Sequence, residues 1–149
     1  MIVVHKSIED EFINKFKALT ERIIVDHPTK FKALPFMGPV IDAASKDTYE
    51  KFCKMGMENG AESIIGLNEV NTEFDGHYVN PTIHYLKEAK KENPFTQDEI
   101  FGPNCTFTPY EDIEDAINIA NINDYGLAAS VFTQDKDCLL YTSPSPRDA

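Results

Sequence analysis

The sequence predicts an α/β fold with a largely parallel sheet, and two observations carry that prediction. Strand-like runs alternate with amphipathic helical runs along most of the 149 residues, which is the pattern of α/β proteins. Residues 126–133 are small and mostly apolar on both faces, which is typical of a central strand in a parallel sheet. A chain of this length can form one domain with a hydrophobic core, and it contains no internal repeat.

The first predicted elements are a short strand and a helix. Residues 2–4 are Ile, Val and Val and indicate a buried strand. Ser7 is placed to cap the helix that follows, and Asp10 completes an approximate capping box. Apolar residues at helical spacing predict one buried face on this helix, made by Ile8, Phe12, Phe16, Leu19 and Ile23.

A proline-rich connection leads to a second helix. Residues 27–41 contain three prolines, so no regular structure is expected there, although the apolar stretch 36–41 should cross a packed surface. Asp42 or Ser45 should cap the helix, and the pair at positions 59–60, Asn-Gly, should end it. Its predicted buried face consists of Tyr49, Phe52, Cys53 and Gly56.

The second half of the chain is predicted to add strands and one more helix. Residues 62–67 and 105–110 have strand patterns. Residues 77–84 are extended, and Pro81 favours an edge position or irregular pairing. A polar loop and a charged turn or short helix are predicted between these segments, at 68–76 and 87–93.

Asp112 is expected to cap the last predicted helix. The apolar stripe of that helix consists of Ile113, Ala116, Ile117 and Ala120. Asn121 and Tyr125 should then hold the turn that leads to residues 126–133, Asn121 through side-chain bonds to the backbone and Tyr125 by burial.

Composition excludes several classes of function. The net charge of −11 disfavours binding to nucleic acid and to anionic membrane surfaces, and no apolar run is long enough to span a bilayer. Residues 1–5 lack the features of a signal peptide. Cys53, Cys105 and Cys138 have neither metal-site spacing nor an even count for disulfides, so we expect a reducing, cytoplasmic environment. The four histidines, at positions 5, 27, 77 and 84, have no metal-ligand spacing, and no metal site is predicted.

Residues 97–103, with the sequence QDEIFGP, are the strongest candidate for a ligand-facing loop. The segment combines two acids, a branched apolar residue and an aromatic ring with a Gly-Pro pair that cannot continue a helix. A carboxylate and a ring two residues apart make Glu99 and Phe101 the candidate binding residues. The alternatives are that Glu99 is an ordinary solvated acid and that Phe101 fills the core.

Five ordered motifs resemble the C-terminal part of the aldehyde dehydrogenase superfamily. They are residues 36–41 (FMGPVI), 60–66 (GAESIIG), 76–83 (GHYVNPTI), 98–103 (DEIFGP) and 120–129 (ANINDYGLAA). Their order and spacing together carry the resemblance, which covers residues 1–137. It implies a partial three-layer α/β catalytic domain of aldehyde dehydrogenase type, truncated at both ends. Asp98 stands where the family usually has glutamate.

The resemblance implies an enzyme that oxidises an aldehyde to a carboxylic acid with NAD or NADP. In the family a cysteine thiolate attacks the aldehyde, the thiohemiacetal passes hydride to the nicotinamide, and a glutamate-activated water hydrolyses the thioester. Glu99 would accept hydrogen bonds from the nicotinamide ribose hydroxyls, because an ionised carboxylate is an acceptor only. Phe101 would pack at the nicotinamide side of the cofactor. We expect the nucleophile and the base to lie before Met1, so no catalytic residue is assigned in this chain.

Neither Cys53 nor Cys105 lies in the catalytic context of the family. Cys53 falls on the apolar face of a helix, and Cys105 falls in a strand just after the 98–103 motif. The chain alone is therefore expected to be inactive. The parent enzyme is expected to form a homo-oligomer through a strand beyond Asp137.

Residues 138–149 are predicted to be a tail with no part in the fold. They have no strand or helix period after Tyr141, and residues 138–148 resemble the in-frame translation of a transposase adapter used in short-read library preparation. The alternative is a natural Ser/Pro tail.

Two other functions remain open at this stage. One is a non-catalytic binding or structural module derived from the family, and the other is an acyl-phosphate reductase of the same superfamily. The form of the 98–103 motif favours the dehydrogenase branch. The resemblance to the family implies a small-molecule aldehyde as the partner. Residues 36–39 resemble the same segment in enzymes that act on succinylglutamate semialdehyde, but other branches share the Gly-Pro pair, so the identity of the aldehyde stays open.

Overall fold

The computed structural model describes residues 1–29 and 34–135. The predicted tail at 138–149 lies outside the described residues. The strands are β1 (Ile2–His5), β2 (Glu62–Ile65), β3 (Thr82–Tyr85) and β4 (Asn104–Tyr110). The helices are α1 (Glu9–Thr20), α2 (Ala43–Glu58), α3 (Pro94–Gln97) and α4 (Ile113–Ala120).

The four strands form one sheet with the order β1-β4-β3-β2. β4 is parallel to both of its neighbours, β1 and β3, while β2 pairs antiparallel with β3. The expected α/β architecture is confirmed, and the sheet is mixed, with two parallel pairings and one antiparallel pairing among the described strands. Pro81 lies just before β3, which is an interior strand, so the edge alternative is wrong. The irregular alternative holds, because the β2–β3 register shifts between Ser63 and Ile65.

Helices cover both faces of the sheet and make three layers. On one face, α1 contributes Ile13 and Phe16 to a core that contains Val4, Ile83 and Phe107. The rings of Phe16 and Phe107 meet edge to face at 5.2 Å, a favourable arrangement for aromatic pairs.

The opposite face carries α2 and α3. Tyr49 and Cys53 of α2 pack with Val79, and Phe95 of α3 packs against Phe52 with ring centroids 4.8 Å apart. The start of β4 therefore lies next to two helices that are anchored to the same side of the sheet. This position matters because residues 97–103 connect α3 to β4.

Capping residues close in sequence to each helix set the helix ends. The Asp42 side chain accepts from the Ser45 N–H at 2.7 Å and caps α2, as predicted, and Gly60 ends that helix with φ of +90°. Asp112 caps α4 by accepting from the Asp115 N–H at 2.9 Å. The expected Ser7 cap is wrong, because Ser7 Oγ bonds with the His5 ring instead. The helix α3 was not predicted, although Asn93 caps it and Pro94 starts it.

The burial predicted for α1 and for residues 36–41 differs from the structure. On α1, Phe16 packs inward but Ile8 and Leu19 are exposed, because the helix turns Ile13 toward the sheet instead. In the stretch 36–41 only Val40 joins a core cluster, and Phe36 is 79% exposed.

Residues 126–133 form no strand, and the expectation of a central strand there is wrong. Leu127 and Phe132 are almost fully exposed. A strand is stabilised by its neighbours, and this segment pairs with none of the described strands. Tyr125 is 56% exposed, so its predicted burial is also wrong, whereas Asn121 does bond to the Ile117 carbonyl as expected.

Candidate functional site

The loop formed by residues 97–103 is tied at its beginning to both neighbouring helices. The Asp98 N–H donates to the Pro94 carbonyl at 2.9 Å, which closes α3. The Gln97 side-chain amide donates to the Ile122 carbonyl at 3.0 Å, just after α4. The first residues of the loop therefore have a fixed path.

Side chains in the middle of the loop alternate between the core and the surface. Ile100 packs inward against the cluster of Tyr49, Cys53 and Val79. Glu99 and Phe101 point away from that cluster, and Phe101 is 82% exposed. Glu99 is exposed and makes no hydrogen bond or ion pair with any other residue in the described ranges. The loop thus presents one unpartnered carboxylate and one uncovered ring.

The end of the loop rests directly on Tyr49. A Cβ placed on Gly102 would lie 2.2 Å from Cδ2 of the Tyr49 ring, so a larger residue cannot fit without movement. The next carbonyl, that of Pro103, accepts from the Thr82 N–H at 3.0 Å and from the Tyr49 hydroxyl at 3.1 Å. Glycine is required here for the close approach of backbone to ring.

A buried polar network lies beneath this contact. The Tyr49 hydroxyl shares its proton between the carbonyls of Pro103 and Asn80, the latter at 2.9 Å, and accepts from Thr82 Oγ1 at 2.8 Å. Asn104 Nδ2 donates to Thr82 Oγ1 at 3.0 Å and to His84 Nδ1 at 2.9 Å. Buried polar atoms of this kind are costly unless they are paired, and these are paired with one another.

Burial keeps the titratable members of the network neutral. It raises the pKa of Tyr49 far above its ordinary value, so the phenol remains a donor. It lowers the pKa of His84, which is 1% exposed, below its ordinary value of about 6.5. A neutral imidazole suits Asn104, because an unprotonated Nδ1 is needed to accept the amide hydrogen.

The buried neutral histidine predicts an acid-sensitive fold. As the pH falls below about 6.5, the unfolded chain binds a proton that folded His84 does not, so stability present above that pH is progressively lost. His84→Gln removes the titration and keeps a polar side chain. We expect the urea midpoint of the variant to fall less than that of the wild type between about pH 7.5 and about pH 5.5. Equal losses in the two proteins would contradict this assignment.

The two described cysteines lie away from the exposed side of the loop. Cys53 is buried beside Thr82, with Sγ 3.5 Å from Oγ1, and burial raises the pKa of its thiol. Cys105 is half-buried on the α1 face, where burial raises the pKa of its thiol to about 11. A thiol attacks as its thiolate, so neither residue is a ready nucleophile at neutral pH.

The loop lies at the end of the sheet where β4 begins. Open α/β sheets usually bind ligands at the carboxyl ends of parallel strands, whereas this loop lies at the amino end of β4. Its exposed carboxylate can accept two hydroxyl donors, and its ring can cover a flat apolar group.

Sequence reasoning found the two exposed residues but missed the support below them. Glu99 and Phe101 lie in the predicted loop, two residues apart and on its exposed side. Tyr49 was predicted to be buried, but its contact with Gly102 and its bond to Pro103 were not. The tyrosine itself could have indicated this bond, since a buried tyrosine hydroxyl normally has a hydrogen-bond partner.

Two other features of the described residues bear on function. No helix in residues 1–29 and 34–135 is both long enough and apolar enough to cross a membrane. The same residues contain no group of three or more His, Cys, Asp or Glu side chains that could hold a metal ion.

Comparisons with solved structures reproduce this fold. A betaine aldehyde dehydrogenase from Staphylococcus aureus, determined in complex with NAD+, superposes with a TM-score of 0.81 at 27% identity, over 95% of this chain and 28% of that one. Lactaldehyde dehydrogenase from Escherichia coli superposes with a TM-score of 0.82 at 28% identity, over 94% of this chain and 28% of that one.

Sequence comparison gives the same family. Benzaldehyde dehydrogenase of Antirrhinum majus is 37% identical over 90% of this chain, which spans 24% of that protein's length. The chain thus spans about a quarter of the length of its curated relatives. The model of the aldehyde dehydrogenase family matches residues 1–145, and the chain therefore belongs to the aldehyde dehydrogenase family.

Proposed function

We propose that residues 1–137 are part of the catalytic domain of an NAD(P)-dependent aldehyde dehydrogenase and supply one side of its cofactor site. The enzyme would oxidise a small aldehyde to a carboxylic acid. The observation that carries the proposal is the pairing of an unpartnered Glu99 carboxylate with an exposed Phe101 ring on a loop that is fixed from below. The rest of the cofactor site, the nucleophile and the general base would come from other parts of a longer enzyme.

The residues present fit the nicotinamide end of a dinucleotide. The Glu99 carboxylate would accept from the two ribose hydroxyls, and the Phe101 ring would limit where the nicotinamide lies. When bound, NAD or NADP would supply the hydride acceptor. The chain's own contribution is orientation, since a rigid loop that fixes one end of the cofactor reduces the entropy lost on reaching the reactive geometry.

Three further parts of the proposal rest on sequence. We place the enzyme in the cytoplasm, because its cysteines have no disulfide spacing. We expect the complete enzyme to be a homo-oligomer. Residues 138–149 are proposed to be a non-native tail.

The test compares two neighbouring acids in the complete enzyme. Glu99→Gln replaces two acceptor oxygens by one acceptor and one donor, so NAD should bind about 10- to 100-fold more weakly, the value of a lost charged hydrogen bond. Binding of ADP should not change, because ADP lacks the nicotinamide riboside. Both dissociation constants are measured by titration calorimetry.

The matched control is Asp98→Asn, which makes the same change of charge one residue earlier in the same loop. It should leave both affinities within about twofold of the wild type, since exposed charges contribute little to affinity by themselves. Equal effects of the two substitutions, or unchanged NAD binding in Glu99→Gln, would contradict the proposed role of Glu99.

A further inference from the structure

Glu99 and Phe101 have few contacts that could hold them in place. Glu99 bonds to nothing in the described part of the chain, and Phe101 is 82% exposed. Their positions therefore depend on the backbone of residues 97–103 and on the buried side chains that contact this backbone. A binding group that is displaced by about an ångström loses much of its effect, so this support matters for function.

One buried side chain lies against the loop at three of its residues. Tyr49 belongs to the cluster against which Ile100 packs, lies under Gly102 and bonds to the carbonyl of Pro103. The same hydroxyl reaches Asn80 and Thr82, which lie before and in β3. Tyr49 is 0% exposed, so its ring has no free volume into which it could turn. It joins helix α2, strand β3 and the loop at a single point.

We propose that Tyr49 is a positioning residue for the dehydrogenase, one that sets where Glu99 and Phe101 meet the nicotinamide riboside. This inference rests on the proposed function of Glu99. The hydroxyl holds the carbonyl of Pro103, and the ring sets the height of Gly102 above the sheet. Both contacts lie immediately after Phe101, so a shift at Tyr49 is transmitted to the binding residues through rigid backbone.

The structure contains a matched tyrosine that should not act in this way. Tyr78 is buried like Tyr49, with 4% of its surface exposed. Its hydroxyl, however, has no hydrogen-bond partner among the described residues. Removal of that hydroxyl therefore breaks no bond. The pair Tyr49→Phe and Tyr78→Phe makes the same chemical change at two buried sites, and only the hydroxyl of Tyr49 bonds to the loop.

The test is made in the complete enzyme with NAD and ADP as the two probes. Tyr49→Phe keeps the ring under Gly102 and removes only the hydroxyl. We expect its dissociation constant for NAD to rise about fivefold or more, the usual consequence of one lost buried hydrogen bond, while that for ADP stays the same. Tyr78→Phe should change neither constant. A role limited to stability would lower the melting temperature and leave both constants unchanged in the folded enzyme.

A double substitution tests the route of the effect. Because part of the effect of Tyr49 passes through Glu99, Tyr49→Phe should cost less NAD affinity in the Glu99→Gln enzyme than in the wild type. Additive losses would overturn the inference. The result for Glu99→Gln alone separates the two claims. If Glu99→Gln weakens NAD binding and Tyr49→Phe does not, only the positioning role of Tyr49 is contradicted. If Glu99→Gln has no effect on NAD binding, the proposed function itself is contradicted.

If Tyr49→Phe does not fold, a second pair of variants tests the same hydrogen-bond network. Thr82→Val removes the hydroxyl that donates to Tyr49, and Thr82→Ser keeps it. We expect Thr82→Val to weaken NAD binding and to spare ADP binding, and we expect Thr82→Ser to behave like the wild type. Equal NAD affinities in these two variants would contradict the role of the network.

Discussion

Replacement of Gly102 by alanine should displace the loop and abolish tight NAD binding in the complete enzyme. The added Cβ would lie 2.2 Å from Cδ2 and 2.7 Å from Cε2 of Tyr49, far inside contact distance. Tyr49 cannot move aside, because it is fully buried and its hydroxyl is held by three partners. The backbone must give way instead. We expect a loss of about 1–3 kcal/mol in stability, typical of overpacking.

The measurements are a urea unfolding curve and a titration with NAD. Gly126→Ala is the control, since a Cβ at that position meets nothing within 4 Å and the backbone there does not need glycine. It should match the wild type in both measurements. A Gly102→Ala enzyme with normal stability and normal NAD affinity would show that the contact with Tyr49 does not fix the loop.

We expect the 149-residue chain by itself to have no aldehyde dehydrogenase activity. Cys53 is 1% exposed and the pKa of Cys105 is raised to about 11, so neither described thiol is available as a thiolate nucleophile at neutral pH. We expect no NAD-dependent oxidation of benzaldehyde or acetaldehyde by the purified chain, measured as NADH absorbance. The reason is chemical, since burial raises the pKa of both described thiols and keeps them from attacking an aldehyde as thiolates.

Cys105→Ala supplies the control for this experiment. The variant and the parent chain should give the same NADH absorbance, and this absorbance should equal that of buffer without protein. Measurable activity that Cys105→Ala abolishes would make Cys105 a catalytic nucleophile and would contradict both its assigned environment and the proposed division of the site.

Features that depend on neighbouring residues could be predicted from the sequence. The Asp42 and Asp112 caps and the stop at Gly60 are short-range effects of side-chain acceptors and backbone freedom. The strand predicted at residues 105–110 rests on a local alternation in the same way, and β4 does cover Asn104–Tyr110. The loop was found for the same reason, because a Gly-Pro pair after an acid and an aromatic residue is visible locally.

Features that depend on distant partners could not be predicted in this way. Residues 126–133 have the composition of a buried strand, but composition does not supply a neighbouring strand, and the described sheet offers none at that position. The bonds from Tyr49 to Thr82 and to Pro103 span 33 and 54 residues of sequence. A helical spacing shows that Tyr49 is buried without showing what its hydroxyl meets.

The central claim is that Glu99 binds the nicotinamide ribose from a loop held in place by Tyr49. A crystal structure of the complete enzyme with NAD+ tests it most directly. We predict both ribose hydroxyls within about 2.5–3.0 Å of the Glu99 carboxylate oxygens, with the Tyr49 hydroxyl still bonded to the carbonyl of Pro103. A bound cofactor whose ribose hydroxyls lie more than about 4 Å from that carboxylate, well outside hydrogen-bond range, would contradict the claim.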